Sequence, residues 1–281
     1  MHTMLSFNDN GISDHFLSED ELKKVCPNAF KVEPTNPNVS QKYIMATTMD
    51  VVHDMAKLGW YPVEAKQCKN KKNSSGIRSF HMISFQNPDV KVYKDDEIEA
   101  YPRIICQNSH DGFNSFKFFC GFYKILCSNG LVVADEEFAN ISIRHINYTF
   151  DELKNTILST IEKLPTYIGT INEMKKTVLN NNEKHKLAQD FFNIKKNLPM
   201  ENIVDDETIS FILNPNRTED DYDDLWSVFN TCQENIFKGN FYIKDKNNKL
   251  RKQRPIVSIK KDLQINSAFW EIACNYIKIN T

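Results

Sequence analysis

Residues 103–119 read Arg-Ile-Ile-Cys-Gln-Asn-Ser-His-Asp-Gly-Phe-Asn-Ser-Phe-Lys-Phe-Phe. β-Branched and aromatic residues gather on both sides of Asn108-Ser-His-Asp-Gly112. Asn, Asp and Gly tolerate left-handed backbone and bond locally, which suits a turn. Two strands, Arg103 to Gln107 and Phe113 to Phe119, are therefore predicted to flank that turn. Similar short runs, Trp60 to Ala65, Arg78 to Phe85 and Ile141 to Ile146, lie around it, punctuated by Asn-Pro and Asp-Asp signals. Strands joined by turns predict an antiparallel sheet. Phe118 to Cys127 is ambiguous between strand and short helix, because a continuous apolar run has no periodicity.

Helices are predicted outward from this sheet. Ser18-Glu-Asp-Glu21 supplies an N-cap and an acidic first turn for a short helix through Val25, stopping before Pro27. Asn28 to Ser40 contains Pro34 and Pro37 and reads as an extended arm. Val51, Val52, Met55 and Leu58 fall at helical spacing between Thr47 and Gly59. Phe150 to Asn197 is helical, capped by Thr149 or Asp151. Its apolar stripe Leu153, Ile157, Ile161 and Leu164 ends at Pro165, and a second helix runs from Tyr167 to Lys196. Leu225 to Phe237 forms a helix stopped by Gly239. Phe241 to Ile243 and Pro255 to Ile259 form a hairpin around Lys246-Asn-Asn-Lys249, and Ser267 to Ile277 is a last helix. The fold class is α+β: an antiparallel sheet packed with helices, a helical middle, and a carboxy-terminal basic β-hairpin and helix. Residues 1–40 form a peripheral arm and short helix, 41–149 the mixed core, and 150–281 a helical region packed on that core as one domain.

The composition bounds the function. The 281 residues are 41% hydrophobic and 26% charged, with a net charge of -2, which excludes binding through bulk positive charge while leaving a local basic face open. With 8 Gly and 10 Pro the chain is not a low-complexity protein. No long apolar run and no amino-terminal secretory pattern are visible, so neither a membrane partner nor export is expected. Seven scattered cysteines without a CxxC pair suit a reducing, cytoplasmic compartment.

Polar chemistry concentrates at Asn108-Ser-His-Asp-Gly112. His110 beside Asp111 could serve as a general base or, with His81 and His145, as a metal site; satisfied structural histidines are the competing reading. Cys127 would need a histidine base, His110 or His145, to act as a nucleophile, and a buried thiol competes with that. Neither GxxxxGK[ST] nor GxGxxG occurs, so no phosphate-cradling glycine loop and no cofactor are expected.

Two basic segments carry a different argument. Lys66, Lys69, Lys71, Lys72 and Arg78 occupy one loop-strand unit without an acid. Lys238 to Lys261 holds nine cations against Asp245, among them Lys244, Lys246, Lys249, Arg251, Lys252 and Arg254, with Phe241 and Tyr242 between them. Cations neutralise phosphates and exposed rings stack on bases, a combination suited to single-stranded nucleic acid. A solvated edge hairpin kept soluble by lysines explains the same charges. Glu201 to Asp224 carries nine acids against Arg217 and could cover the hairpin or pair with a neighbouring subunit.

Lys42-Tyr43, Leu58-Gly-Trp60 and Phe80-His-Met82, then Pro102-Arg103, Asn108 to Gly112, Cys127-Ser-Asn-Gly130 and Arg144-His145, resemble the phage/plasmid-like protein family. So do Leu225-Trp226, Phe229-Asn230, Gln233-Glu234, Gly239, Arg254-Pro255 and Asn266 to Trp270. That family is a domain of unknown function spread through phages, plasmids and bacterial mobile islands. Lys238-Gly239-Asn240 departs from its Arg-Gly-Gly type pattern, which weakens the expectation of a glycine-dependent close approach there, and Phe269 replaces the usual Leu. The resemblance implies DNA transactions of mobile elements, and at fold level it is similar to single-strand annealing proteins. The leading expectation is a phage-encoded protein of the host cytoplasm that binds single-stranded DNA as a homo-oligomer in annealing or recombination. His81, Arg103, His110, Asp111 and Arg144 would lie near its functional face. A metal-dependent hydrolase centred on His110 and Asp111, and a host-defence inhibitor acting by protein contact, are the alternatives.

Overall fold

In the computed structural model, the turn-rich first half builds one antiparallel sheet of seven strands. The structure describes residues 15–33, 47–68, 79–94, 97–110, 116–124, 130–133, 142–143, 149–217 and 221–279. The strands are β1 (Tyr61–Gln67), β2 (His81–Gln86), β3 (Val92–Lys94), β4 (Glu97–Asn108), β5 (Phe116–Lys124), β6 (Gly130–Val133) and β7 (Ser142–Ile143). The order is β1-β2-β4-β5-β6, with β3 on β4 and β7 on β5. The ambiguous run after Phe118 is strand as far as Lys124. The α+β expectation therefore holds.

Two units divide the chain, Met1–Leu164 and Pro165–Thr281. In the first, Ile83 faces Cys106 and Phe85 faces Ile104 across the β2–β4 ladder. These residues pack with Phe116, Phe118 and Trp60 into one core. Helix α1 (Glu19–Val25), a 3-10 turn (Pro27–Phe30) and helix α2 (Thr48–Lys57) add Leu22, Ala29, Val51, Val52 and Met55 to the same cluster. Both helices start in capping boxes, Ser18 with Glu21 and Thr47 with Asp50, so the first N–H groups are satisfied by side chains. Gly59, at φ +81°, turns the chain out of α2 into β1.

Helix α3 (Phe150–Lys176) is capped by Thr149 and runs through Pro165. The expected break at that proline is corrected. Proline removes one helical N–H, but Tyr167, Ile171 and Met174 beyond it are buried and hold the later turns. The helix instead ends near Thr177, and Asn180 caps α4 (Asn181–Lys196) through a capping box with Glu183.

In the second unit, α5 (Asp206–Leu213) was hidden inside the acidic stretch. Asp205 caps it, Asp206 and Glu207 sit where the helix dipole favours carboxylates, and Ile209 and Ile212 are buried. Helix α6 (Leu225–Lys238) is capped by Asp224 and is buried from Leu225 to Ile236. Phe191 of α4 stacks on Phe269 at 3.8 Å and meets Phe229 edge-on. Phe269, Trp270 and Ala273 come from helix α7 (Ile259–Ile279).

Strands β8 (Tyr242–Lys244) and β9 (Leu250–Lys252) form the hairpin. The predicted strand Pro255 to Ile259 is thus wrong. The loop turns the chain back sooner, and Ile256 donates its N–H to the Phe237 carbonyl at the end of α6. Helix α7 begins at Ile259 rather than Ser267, with the Ser258 carbonyl accepting from Asp262 and its hydroxyl from the Lys261 N–H. Among the described residues no helix is long and apolar enough to cross a membrane.

Candidate functional site

His81 opens β2 and Asn108 closes β4, directly opposite each other. They are the polar end of the ladder whose alternate steps are Ile83–Cys106 and Phe85–Ile104. Helix α2 covers this face with Val51, Val52 and Met55, and Thr48 stands one turn earlier on the same stripe. A polar helix residue therefore meets the polar end of the sheet.

Thr48, Ser79, His81, Asn108, Ser109 and His110 are all buried. The Thr48 hydroxyl lies 2.8 Å from His81 Nε2 and 3.3 Å from His110 Nε2, and it accepts from Asn108 Nδ2 at 2.9 Å. His81 Nδ1 is 2.6 Å from the Ser79 carbonyl, which can only accept. His81 therefore carries a proton on Nδ1, with Nε2 facing the Thr48 hydroxyl. That hydroxyl accepts from Asn108 and has one proton to donate to one of the two imidazoles. The two imidazoles are 5.1 Å apart. Asn108 Oδ1 accepts from the Ser109 N–H, and Ser79 Oγ accepts from the His110 N–H.

This arrangement corrects the placement of His81 and His110 on a nucleic-acid-binding face. His81 and His110 are sealed inside the first unit, so neither lies on a surface that meets a polymer. Arg103 is nearly buried too, 3.6 Å from Glu64. Among the described residues no three His, Cys, Asp or Glu side chains gather to hold a metal ion. Asp111, Arg144 and His145, together with Cys127, lie outside the described residues. Thr48 organises the cluster and escaped the sequence reading; its signal was the stripe Thr48, Val51 or Val52, Met55 at helical spacing.

Of the basic loop, Lys66 pairs with Glu64 at 2.8 Å. Lys69, Lys71, Lys72 and Arg78 lie outside the described residues.

The hairpin keeps its charge. Asp245 builds its loop: Oδ1 accepts from the N–H groups of Asn247 and Lys249, and Oδ2 accepts from Arg251 Nε at 2.9 Å. The Lys249 N–H, then the Arg251 guanidinium and the Asn247 N–H, hold the Asp245 carboxyl below the usual range. Lys244 pairs with Glu207 at 2.7 Å, which raises its pKa, and Lys238 pairs with Glu234. Lys246, Lys249, Lys252, Arg254, Lys260 and Lys261 are exposed and have no ion pair among the described residues.

The expectation is corrected for Phe241. Phe241 is fully buried against Phe192 and under Lys195, and Tyr242 is half-buried against Phe211. The Phe241 ring is closed to a base, and the Tyr242 ring is partly covered.

The return strand is clamped from α4. Lys195 Nζ donates to the carbonyls of Ile236 and Arg254, and Lys196 Nζ donates to Gln253 Oε1. Burial first, then the neighbouring Lys196 charge, lowers the Lys195 pKa to about 8. Gly239, at φ +70°, passes so close to this strand that a Cβ would meet the Gln253 carbonyl oxygen at 2.5 Å. The glycine-dependent close approach is therefore present despite the departure at Lys238-Gly239-Asn240.

The chain matches the family described as "Domain of unknown function (DUF932)" over residues 37–270 and belongs to it. It is similar to UPF0380 protein YafZ and UPF0380 protein YfjQ of Escherichia coli (strain K12), each 24% identical over 263 residues, covering 92% of this chain and 91% of the relative. No solved structure matches it.

Proposed function

We propose that this family member binds single-stranded nucleic acid through its carboxy-terminal hairpin and acts in annealing or recombination of phage or other mobile DNA. The reading rests on six exposed cations, Lys246, Lys249, Lys252, Arg254, Lys260 and Lys261, gathered on one short segment without carboxylate partners among the described residues. Each such cation can displace a counterion from a phosphate. With Phe241 buried and Tyr242 half-buried, stacking adds little. Binding is therefore electrostatic and indifferent to sequence, and a homo-oligomer would lengthen the track.

The test is a salt titration of oligonucleotide affinity. Six contacts to a single strand give a slope of about −4 in log affinity against log salt, hence a few hundredfold loss between roughly 50 and 200 mM. The triple variant Lys246→Gln, Lys249→Gln, Lys252→Gln should flatten that slope by about 2. Absence of binding at low salt ends this reading.

A further inference from the structure

Beyond β9, residues 253–258 run without regular structure until α7 begins. They are pinned all the same. The Gln253 N–H donates to the Phe241 carbonyl and the Ile256 N–H to the Phe237 carbonyl. Lys195 Nζ holds the Arg254 carbonyl and Lys196 Nζ holds Gln253 Oε1. Pro255 fixes its own φ and keeps Arg254 before it extended. These bonds and the proline set which side chains face outward.

The outward set is part apolar. Ile256 is turned partly inward, whereas Pro255 is exposed and Val257 is 87% exposed. One exposed apolar side chain alone is ordinary. Here, however, Arg254 and Lys260 stand three residues to either side of Val257, with Lys252 and Lys261 just beyond, all of them exposed. No acid occurs between Lys246 and Lys261. Leu250, 39% exposed, adds another aliphatic group among the same cations.

Such a surface suits an occupant that is anionic and apolar at once. A single strand is both, because its unpaired bases present flat apolar faces beside the phosphates. A duplex turns those faces inward. A lipid surface is the poorer match: interfacial anchors carry Trp, Phe or Leu on an amphipathic helix, while Pro255 and Val257 are small and lie on an irregular segment.

Resting on the nucleic-acid reading above, we infer that Pro255 and Val257 are the base-contacting part of the hairpin site, with phosphates on the cations to either side. The cations set how steeply affinity falls with salt. The aliphatic contact adds a salt-independent part and favours single strands.

The test compares a thymidine oligonucleotide with an abasic one of equal length, titrated into the full chain by fluorescence anisotropy across a salt series. Their phosphates are the same, so the slopes should agree, with the thymidine strand bound more tightly by a constant factor. Val257→Asn should weaken the thymidine strand about fivefold, somewhat less than full burial of a valine side chain gives. Slope and abasic affinity should not change, and Val257→Leu should keep the preference. Equal affinity of the wild type for both strands overturns the inference and leaves the electrostatic reading standing, as does an equal loss on both strands in Val257→Asn. Absence of binding to either strand at low salt ends both readings. Binding to phosphatidylserine vesicles that falls in Val257→Asn, without a contrast between the two strands, assigns the surface to lipid and also overturns the inference.

Discussion

At the end of the sheet, Thr48, His81, Asn108 and His110 direct their polar atoms at one another, whereas around the hairpin Lys246, Lys249, Lys252 and Arg254 direct theirs at water. Both regions were marked by the sequence as places where polar residues crowd between apolar ones. The difference lies in what each apolar neighbour packs against. His81 and Asn108 extend a ladder in which Ile83–Cys106 and Phe85–Ile104 are core, and α2 closes over them. The hairpin is tied to its unit by Lys195, Lys196, the Thr208 hydroxyl on the Tyr242 carbonyl and the Lys244–Glu207 pair, while its other cations stay exposed. A histidine beside a turn glycine is thus a poor guide to a surface, while a run of cations is a better one, because six like charges cannot all be buried.

Thr48→Val gives the largest expected effect. One hydroxyl serves three buried partners, and each orphaned polar group costs about 1–3 kcal/mol, so a loss on the order of 3 kcal/mol is expected in denaturant unfolding. Hydrogen exchange should accelerate in the peptide 81–86, and the salt slope of oligonucleotide binding should stay unchanged. A change in that slope would join the two regions functionally and break the comparison.

Gly239→Ala comes next. The residue needs φ +70°, and the added carbon would press on the Gln253 carbonyl. About 2 kcal/mol of lost stability is expected, combining left-handed strain and displacement of the return strand. Here, unlike at Thr48, binding should weaken as well, because Arg254 follows the strand that moves. Full affinity in a folded Gly239→Ala protein would detach the hairpin's geometry from its charge.

Much of the architecture was legible because it is written locally. Ser18, Thr149 and Asp224 mark helix starts, Gly59 and Gly239 mark stops, and β-branched and aromatic runs on either side of the Asn108–Gly112 turn mark strands. What escaped depends on partners distant in sequence. Thr48 finds His81 and His110 across 33 and 62 residues, and no local pattern carries that. Helix α5 was masked because acids at a helix start look the same as acids in a solvated loop until Ile209 and Ile212 are seen buried. Pro255 to Ile259 reads as a strand by composition, yet Val257 is 87% exposed, since the chain leaves the hairpin to bond with the end of α6. Phe241 carries the aromatic signal of a stacking platform and is instead an anchor in the core.

Lys195 gives the sharpest test of the contrast, because it is a cation beside the hairpin that is treated as a core group. Its pKa falls from the ordinary 10.5 to about 8 through burial and then the Lys196 charge. Below pH 8 both folded and unfolded chains hold the proton, and burial of the charge opposes folding. Between about pH 8 and 10.5 the unfolded chain binds more protons than the folded one, so raising the pH favours folding. Methionine does not titrate. The stability of the wild type relative to Lys195→Met should therefore rise across that window, with the contributions of Tyr276 and the buried thiols cancelling in the difference. A flat difference would mean that the amine stays hydrated and charged while it holds the Ile236 and Arg254 carbonyls. Lys195 would then belong with the exposed cations, and the clamp on the return strand would be part of the basic surface.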